Sequence, residues 1–225
     1  RAGGAQGVGS RLGREGGERR AGPMRVKDLG DGKFVVMGTR HGVVKKTELS
    51  AFSNPRAGGI IAMGVEEGDV VMEVQVSDGN GEVFIGTRDG MAIRFPEGDV
   101  RSMRSAAYGV RGISLREGDA VVAIEVLKPG GTILTVTEQG YGKRTELDEY
   151  SVQSRGGSGI INITTSERNG KVIGILQAHD DDELMLLTGQ RNTRRPAAHG
   201  APTAAPAPQG LQRDASERRA TQSLR

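Results

Sequence analysis

Basic side chains recur at one position along this chain, four residues after a glycine that suits a turn. The pairs, spaced by 48 and 50 residues, are Gly42/Lys46, Gly90/Arg94 and Gly140/Arg144. With their neighbours they form the set Lys45, Lys46, Arg94, Lys143 and Arg144. Aligned ammonium and guanidinium groups can bind successive phosphates of a nucleic acid with little regard to base sequence. The alternative is a solvated strand face, paired with Glu48, Glu146 or Asp148.

A second group of basic residues falls in glycine-rich connections between the predicted strands. These residues are Arg56, Arg104, Arg111 and Arg155. Backbone amides in glycine turns also approach phosphates closely, which makes the segment Arg155-Gly156-Gly157 a candidate anion site. The alternative is that these glycines only permit the turn. A glycine that recurs every 50 residues is predicted to be structural, at Gly59, Gly109 and Gly159.

The sequence offers no set of residues for catalysis or metal binding. It has no cysteine, which removes disulfides, thiolate ligands and cysteine nucleophiles. The histidines are scattered over a turn, an acidic loop and a tail, at His41, His179 and His199. The acidic run 180–183 lacks alternating ligand spacing and is predicted to be a solvated turn. Without a P-loop, a Ser-His-Asp set or paired carboxylates, we expect no catalytic residue, cofactor or metal on this chain.

Charge is distributed unevenly along the chain. Residues 1–23 carry five Arg and two Glu, whereas residues 191–225 carry seven Arg, one Asp and one Glu. Because the whole chain has a formal net charge of +3, residues 24–190 carry a net charge of −5. Binding of nucleic acid by this middle region therefore requires a sorted basic face rather than an excess of positive charge.

The turn glycines belong to an internal repeat of about 50 residues, a period typical of propellers and solenoids. Each repeat predicts a hairpin, a glycine-rich connection and a final apolar strand, and so supplies four strands. One such unit resembles a propeller blade, which must stack on its neighbours to bury both faces. The prediction is an all-β fold of about three four-stranded blades and the edge of a fourth.

The repeat also sets the domain boundaries. The propeller-like domain is predicted over 24–190, with blades at about 34–81, 82–131 and 132–182 and an edge at 183–190. Residues 1–23 and 191–225 are predicted to be disordered, because they are rich in Arg with Gly, or with Ala and Pro, and show no strand pattern. No apolar run is long enough to cross a bilayer, and the start lacks the apolar centre of a secretory signal, so cytoplasm is the expected location.

Several segments resemble the C-terminal domain of the A subunit of bacterial DNA gyrase, and less closely that of topoisomerase IV. They are Gly-Val-Val-Lys-Lys-Thr from Gly42, Thr-Arg-Asp-Gly-Met-Ala-Ile-Arg-Phe from Thr87, Tyr-Gly-Val-Arg-Gly-Ile from Tyr108, Gln-Gly-Tyr-Gly-Lys-Arg-Thr from Gln139 and Thr-Ser-Glu-Arg-Asn-Gly from Thr165. The resemblance preserves order and spacing through most of residues 24–190.

This resemblance implies a β-pinwheel, a disc of blades that exchange a strand with their neighbours, here about the third to fifth of six blades with the edge of the sixth. It implies that duplex DNA wraps on the rim, and that this wrapping lets the parent type IIA topoisomerase introduce negative supercoils. It also implies that the parent enzyme binds ATP and Mg²⁺ elsewhere and not on this chain. Partners would be duplex DNA, the gyrase A-subunit dimer and the gyrase B subunit, with no membrane. The family's catalytic tyrosine domain lies upstream, so Tyr108, Tyr141 and Tyr150 are not interpreted as nucleophiles and this fragment alone is not expected to be an enzyme. The implied DNA-binding set is Lys45, Lys46, Arg94, Arg104, Arg111, Lys143, Arg144 and Arg155.

Two departures from the family pattern stand out. The gyrase box, which the family carries in its first blade, has a degenerate copy here in a later blade that matches five of seven positions. This box-like turn comprises Gln153, Ser154, Arg155, Gly156, Gly157, Ser158 and Gly159. Both tails leave the pattern abruptly, and the hypothesis is that a shifted reading frame produced them. The alternatives to gyrase are a topoisomerase IV counterpart or a propeller-type protein-interaction scaffold, which the acidic middle region would suit.

Overall fold

The structure is a computed structural model of the chain. It describes residues 32–54, 59–180 and 182 in full, and the backbone of residues 7–8, 24–25, 186–187 and 193–194. The strands are β1 (Gly7–Val8), β2 (Met24–Arg25), β3 (Phe34–Thr39), β4 (Val43–Glu48), β5 (Val71–Ser77), β6 (Glu82–Thr87), β7 (Met91–Pro96), β8 (Val110–Arg111), β9 (Val121–Leu127), β10 (Thr132–Thr137), β11 (Gly142–Glu146), β12 (Ile160–Ile161), β13 (Val172–Ala178), β14 (Leu186–Leu187) and β15 (Thr193–Arg194). Short 3-10 turns span Leu49–Phe52, Glu97–Asp99 and Leu147–Glu149.

The three predicted hairpins are confirmed, and they share one register. Their turn glycines, Gly42, Gly90 and Gly140, have φ angles of 84°, 88° and 77°, a region that other residues rarely adopt. The basic residue of each returning strand lies opposite the same position of the first strand, in the pairs Val36–Lys46, Phe84–Arg94 and Leu134–Arg144. The sequence repeat is therefore also a repeat of the structure.

The fourth strand of a blade comes from the following repeat. Blade 1 has the strand order β5-β3-β4-β8, blade 2 has β9-β6-β7-β12, and blade 3 has β13-β10-β11 in the described residues. The short strands β8 and β12 pair antiparallel with β4 and β7 of the preceding blade. The prediction that each repeat builds all four strands of its own blade is therefore wrong. The local sequence pattern predicts a strand but does not say which sheet the strand joins. The exchange of a strand between neighbouring blades agrees with the pinwheel that the resemblance implies.

The inner strands β5, β9 and β13 pack against one another, so the opposite edge of each sheet faces outward. At this inner layer an isoleucine from one blade enters a gap over a glycine of the preceding blade. A Cβ added at Gly38 would lie 1.8 Å from Cδ1 of Ile124, and one added at Gly86 would lie 2.1 Å from Cδ1 of Ile175. Two apolar clusters accordingly lie between blades, and in one of them Val36 and Val44 of blade 1 pack among residues of blade 2. Each blade depends on the next for its core.

The tails and the edge of the fourth blade fall mostly outside the described residues. Within them, β1 pairs with β2 and β14 pairs with β15, each over two residues. The segments 1–23 and 191–225, predicted to be disordered, therefore each contain one two-residue strand, and β14 is the described part of the predicted edge 183–190. Among the described residues, no helix has the length and apolar character needed to span a membrane.

Candidate nucleic-acid interface

Lys45 lies inside the disc rather than on its surface. Lys45 is 0% exposed to solvent. Its amino group donates hydrogen bonds to the carbonyl oxygens of Ala62, at 2.6 Å, and of Ser105. Burial lowers the pKa of Lys45 to about 8. The two acceptors belong to blade 1 and to the next repeat, so the side chain joins two outer segments.

Lys46 is also buried, and it contacts an acidic residue of the next blade. Its amino group donates to the backbone oxygen of Glu97 at 3.1 Å and lies 3.5 Å from Oε1 of the same residue, which is 0% exposed. The ammonium also lies 5.0 Å from the ring centre of Phe34. The hydroxyl of Ser77 donates to Oε2 of Glu97, which completes a buried polar cluster between blades 1 and 2.

The other three basic residues that follow a turn glycine are also buried or half-buried. Arg94 pairs with Glu82, at 2.6 Å, and donates to backbone oxygens of the 3-10 turn of blade 3 and its flanking residue. Arg144 donates to the hydroxyl of Thr132 and to Oδ1 of Asp180, each at 2.8 Å. Lys143 is 6% exposed, and its burial lowers its pKa, an effect that the charge of Glu149 opposes.

These placements correct the expected geometry of an open basic rim. The charged groups of Lys45, Lys46, Arg94, Lys143 and Arg144 lie against neighbouring blades or acidic partners. Lys46 and Arg94 contact the following blade, and Lys45, Lys143 and Arg144 are buried, so these basic positions of β4, β7 and β11 do not form a solvent-exposed face in the described residues. Their assignment as DNA contacts stays a prediction.

The outer edge of the disc is formed by the connections that follow the 3-10 turns, which we call straps. Strap 1 is residues 53–65, strap 2 is residues 101–115 and strap 3 is residues 151–165. Strap 2 covers β4, through β8 and through a hydrogen bond of 2.8 Å from the amide of Met103 to the carbonyl of Lys46. Strap 3 covers β7 in the same manner, with the amide of Gln153 donating to Arg94 at 2.8 Å.

Successive straps are bonded to one another. The amide of Gly64 in strap 1 donates to Ala107 in strap 2 at 3.1 Å, and the Tyr108 ring lies against Gly64. The amide of Gly156 donates to Gly112 at 2.7 Å, and Ser114 donates back to strap 3 through its amide and its hydroxyl. The described parts of the straps thus form a connected outer belt.

The belt carries basic charge and no acidic residue. The three straps contain five arginines and no Asp or Glu, although the surrounding region is acidic. On strap 2, Arg101, Arg104 and Arg111 are exposed, and no ion pair joins them to any residue that the structure describes. On strap 3 the Arg155 guanidinium donates to backbone oxygens of Asp99, at 2.9 Å, and Arg111, at 3.1 Å.

The structure therefore divides the predicted DNA-binding set. Arg104, Arg111 and Arg155 lie on the belt, while the five residues that follow the turn glycines do not. Arg56 belongs to strap 1 by sequence but lies outside the described residues. The sequence pattern did not single out Arg101, although the lack of acidic residues across one segment of every repeat could have revealed it.

The belt also exposes apolar side chains. Of the five large apolar residues that are exposed in the described part of the chain, four lie on straps: Ile61 at 70%, Tyr108 at 62%, Val152 at 49% and Ile161 at 59%. Exposed apolar groups rimmed by basic ones mark interaction sites more often than scattered single residues do.

The box-like turn lies in strap 3, at its joint with strap 2. Gly156, with a φ of 84°, provides the amide bonded to strap 2, and the carbonyls of Gly156 and Gly157 accept the bonds from Ser114. A side chain at Gly159 would lie 2.2 Å from the carbonyl oxygen of Ala92. The geometry thus gives this turn a structural role at a joint, beside Arg155.

Other candidate sites have structural explanations in the described residues. The hydroxyl of Tyr150 donates to Oδ1 of the buried Asn162 at 2.7 Å, and burial raises the pKa of Tyr150 to about 12. Among the described residues, no group of three or more His, Asp or Glu side chains is arranged to hold a metal ion. An open groove of about 1060 Å³ at the ends of the blades is lined by basic and acidic side chains together, which favours no single class of ligand.

Comparison with known proteins gives the same architecture. A model of the DNA gyrase C-terminal domain, beta-propeller, matches residues 33–78, 81–128 and 131–179. The A subunit of DNA gyrase from Salmonella typhimurium is 43% identical over 174 residues, which are 77% of this chain and 20% of that protein. The protein of the same name from Haloquadratum walsbyi is 45% identical over 158 residues, which are 69% of this chain and 18% of that protein. The chain spans about a fifth of the length of the curated relatives that it matches.

Solved structures show the same likeness. The C-terminal domain of DNA gyrase A superimposes with a TM-score of 0.76 and 26% identity, over 84% of this chain and 64% of that one. The C-terminal domain of DNA topoisomerase IV has the same TM-score and identity, over 81% of this chain and 57% of that one. Because the family model matches all three blades in order, and the named relatives in sequence are A subunits of gyrase, this chain belongs to the family of DNA gyrase A C-terminal β-propeller domains, part of the type IIA topoisomerases.

Proposed function

We propose that the belt of straps binds duplex DNA and bends it around the edge of the disc. The observation that carries this proposal is the sorting of charge: the described parts of the straps carry four arginines, Arg101, Arg104, Arg111 and Arg155, and no acidic residue, in a region whose net charge is −5. Arginines that follow one curved edge can meet successive phosphates, displacing counterions without reading bases. The exposed apolar residues among them suit contact with the sugar faces of the backbone.

Bending requires many contacts on a continuous surface. Smoothly bending 20–30 base pairs by 40–90° costs about 1–6 kcal/mol, which contacts along the whole bend must offset. A belt whose straps are bonded to one another provides such a surface, because the arginines of neighbouring straps keep fixed relative positions. The five basic residues that follow the turn glycines act, in this proposal, by holding the straps and blades together rather than by touching DNA.

The role within a longer protein follows from the family. In this proposal the domain is the non-catalytic wrapping part of the gyrase A chain, and it supports ATP-dependent negative supercoiling by the whole enzyme. ATP and Mg²⁺ act elsewhere in that enzyme, and its protein partners are the A-subunit dimer and the B subunit. A domain that wraps DNA works where the chromosome lies, so the proposed location is the nucleoid.

The test is binding to a long duplex across a salt series, with two triple variants of the full chain. The first changes strap 2, Arg101→Gln with Arg104→Gln and Arg111→Gln. The second changes three exposed basic residues outside the straps, Arg116→Gln with Lys128→Gln and Arg168→Gln. Both remove three positive charges, so any difference between them reports position rather than net charge.

The slope of log K against log salt is negative, and we expect it to be less steep in the strap 2 variant by roughly 3, which is about 0.9 for each lost phosphate contact. The second variant should bind as the unchanged chain does. Equal loss in the two variants would assign the affinity to diffuse charge and overturn the belt proposal. Absence of salt-sensitive binding by a folded chain would favour the protein-interaction scaffold instead.

A further inference from the structure

Strap 2 contains one aromatic residue, Tyr108, which is 62% exposed and yet held in place. Tyr108 pairs with Gly64 of strap 1 in a parallel bridge, and the amide of Gly64 donates to the carbonyl of Ala107 at 3.1 Å. A Cβ added at Gly64 would lie 3.0, 3.0 and 3.1 Å from Cδ2, Cε2 and Cζ of the tyrosine ring. The ring therefore packs on the backbone of strap 1 and turns the rest of its surface to solvent.

The joint between straps 2 and 3 forms without such a ring. Fifty residues further along the chain, the counterparts of Gly64 and Tyr108 are Ser114 and Ser158. At this second joint the amide and the hydroxyl of Ser114 donate to carbonyls of strap 3, at 2.9 and 2.7 Å. A glycine thus faces the large side chain, and a serine faces the small one. Because two straps can be joined with a serine at this position, the exposed ring is not required for the joint itself.

The exposure of Tyr108 does not depend on an open edge of the disc. Strap 2 lies between straps 1 and 3 of the same chain and is hydrogen-bonded to both. Its strand β8 is paired with β4 of the preceding blade. A further blade on either side of the three would extend the belt beyond straps 1 and 3, and would leave the outer surface of strap 2 as it is.

Two exposed arginines, Arg104 and Arg111, flank the ring on the same strap. The amide of Ala107 donates to the carbonyl of Arg104 at 3.1 Å, a turn that keeps the Cα atoms of these two residues within about 7 Å. Arg111 follows Tyr108 by three residues, at most about 11 Å along an extended chain. Strap 2 therefore presents a cation, an apolar ring and a second cation in this order. The backbone of a nucleic acid presents a phosphate, a sugar and a phosphate.

We propose that the ring of Tyr108 packs on a deoxyribose of the wrapped duplex, between phosphates bound by Arg104 and Arg111. This inference rests on the proposed function of the belt and adds a second kind of contact to it. Contacts between arginine and phosphate release counterions and weaken as salt rises. Burial of apolar surface releases no counterions. The ring therefore supplies a part of the affinity that does not depend on salt, and it lets strap 2 distinguish the DNA backbone from a polyanion that has no sugars.

The first test is a salt series on a long duplex with Tyr108→Ser in the full chain, a change to the residue of the second joint. We expect the affinity to fall about tenfold at every salt concentration, the effect of leaving about 50 Å² of apolar surface exposed, with an unchanged slope of log K against log salt. The double variant Arg104→Gln with Arg111→Gln should instead make the slope less steep by roughly 2. Val76→Ser is the matched control, because Val76 is an exposed apolar residue outside the straps, and it should bind as the unchanged chain does.

The second test replaces the duplex by inorganic polyphosphate, a flexible polyanion without sugars. Each chain is titrated with polyphosphate at low salt, after circular dichroism has shown that it is folded. Tyr108→Ser should bind polyphosphate as tightly as the unchanged chain does, so that its tenfold loss is confined to DNA. The double arginine variant should lose affinity for both ligands.

Three results would overturn the inference: no loss of DNA affinity in Tyr108→Ser, a loss that appears as a change of slope, or an equal loss for DNA and polyphosphate. Each of them leaves the proposed function intact, because that function is judged by the slope of the arginine variants. Arginine variants with the slope of the unchanged chain would remove the proposed function, and this inference with it.

Discussion

Glu73 lies on the inner strand β5, and its replacement by glutamine should stabilise the domain in a manner that depends on pH. Burial raises the pKa of Glu73 to about 7, and the nearby carboxylate of Glu125 on β9 adds to this effect. Burial also raises the pKa of Glu125, against a hydrogen bond of 2.9 Å from the Gln75 amide and the charge of Lys128. Two carboxyl groups thus meet between the innermost strands of blades 1 and 2.

The sign of the effect follows from proton binding. The pKa of Glu73 is higher in the folded chain than its ordinary value of 4.5, so the folded state binds more protons between pH 4.5 and pH 7. The free energy of unfolding therefore falls as pH rises through that window, and the fall is complete above pH 7. A shift from 4.5 to about 7 corresponds to at most about 3 kcal/mol, at 1.36 kcal/mol per pKa unit.

The assay is urea unfolding followed by far-ultraviolet circular dichroism at pH 5 and pH 8, at one protein concentration. Glu73→Gln should match the unchanged chain at pH 5, where both side chains are largely uncharged. At pH 8 it should be more stable by up to about 3 kcal/mol. Glu67→Gln, which removes an exposed carboxylate, serves as the control. A difference between Glu73→Gln and the unchanged chain that is equal at the two pH values would refute this reasoning.

Three further predictions concern the contacts between blades, and urea unfolding measures each. Gly109→Ala should destabilise the domain by about 1–3 kcal/mol, because its methyl group meets backbone at a strand junction, and by more than Gly98→Ala, whose methyl group enters open space at a φ that is not positive. Glu97→Ala should cost about 3–5 kcal/mol, since it leaves the ammonium of Lys46 buried without its partner. Tyr150→Phe should cost about 1–3 kcal/mol, because a buried asparagine loses its hydrogen-bond donor. A cost below about 0.5 kcal/mol, the ordinary range of a neutral substitution, would contradict the stated cause of any of the three.

The sequence predicts the hairpins well because their signals are local. A glycine at a fixed place between two apolar runs specifies both the turn and the register, and Gly42, Gly90 and Gly140 all have the expected positive φ. The final strands β5, β9 and β13 end at Ser77, Leu127 and Ala178, and because their burial does not alternate residue by residue, the sequence marks their ends less clearly than it marks the turns. The partner of a two-residue strand such as β8 is a property of the whole disc, and no local pattern encodes it.

The basic residues show a different case: their pattern predicts an open rim, whereas Lys45, Lys46, Lys143 and Arg144 are buried in the structure. Lys45 and Lys46 follow a turn and precede an acidic residue, which is typical of an exposed strand. Alternation of polar and apolar residues indicates a solvent face only where a sheet has one. Here Lys45 and Lys46 are buried, and their ammonium groups contact backbone carbonyls and Glu97. The repeated absence of acidic residues in the straps is the more informative signal for the outer surface.

The bonds between straps also decide how the disc responds to force. A rim made of separate loops would give way at the one loop that is pulled. Here strap 1 is bonded to strap 2, by Gly64 to Ala107, and strap 2 to strap 3, by Gly156 to Gly112, and straps 2 and 3 are also paired to the preceding blade. Tension applied at one strap is therefore shared with the straps that are bonded to it. A stiff polymer bent around this edge would meet a support that keeps its curvature under load.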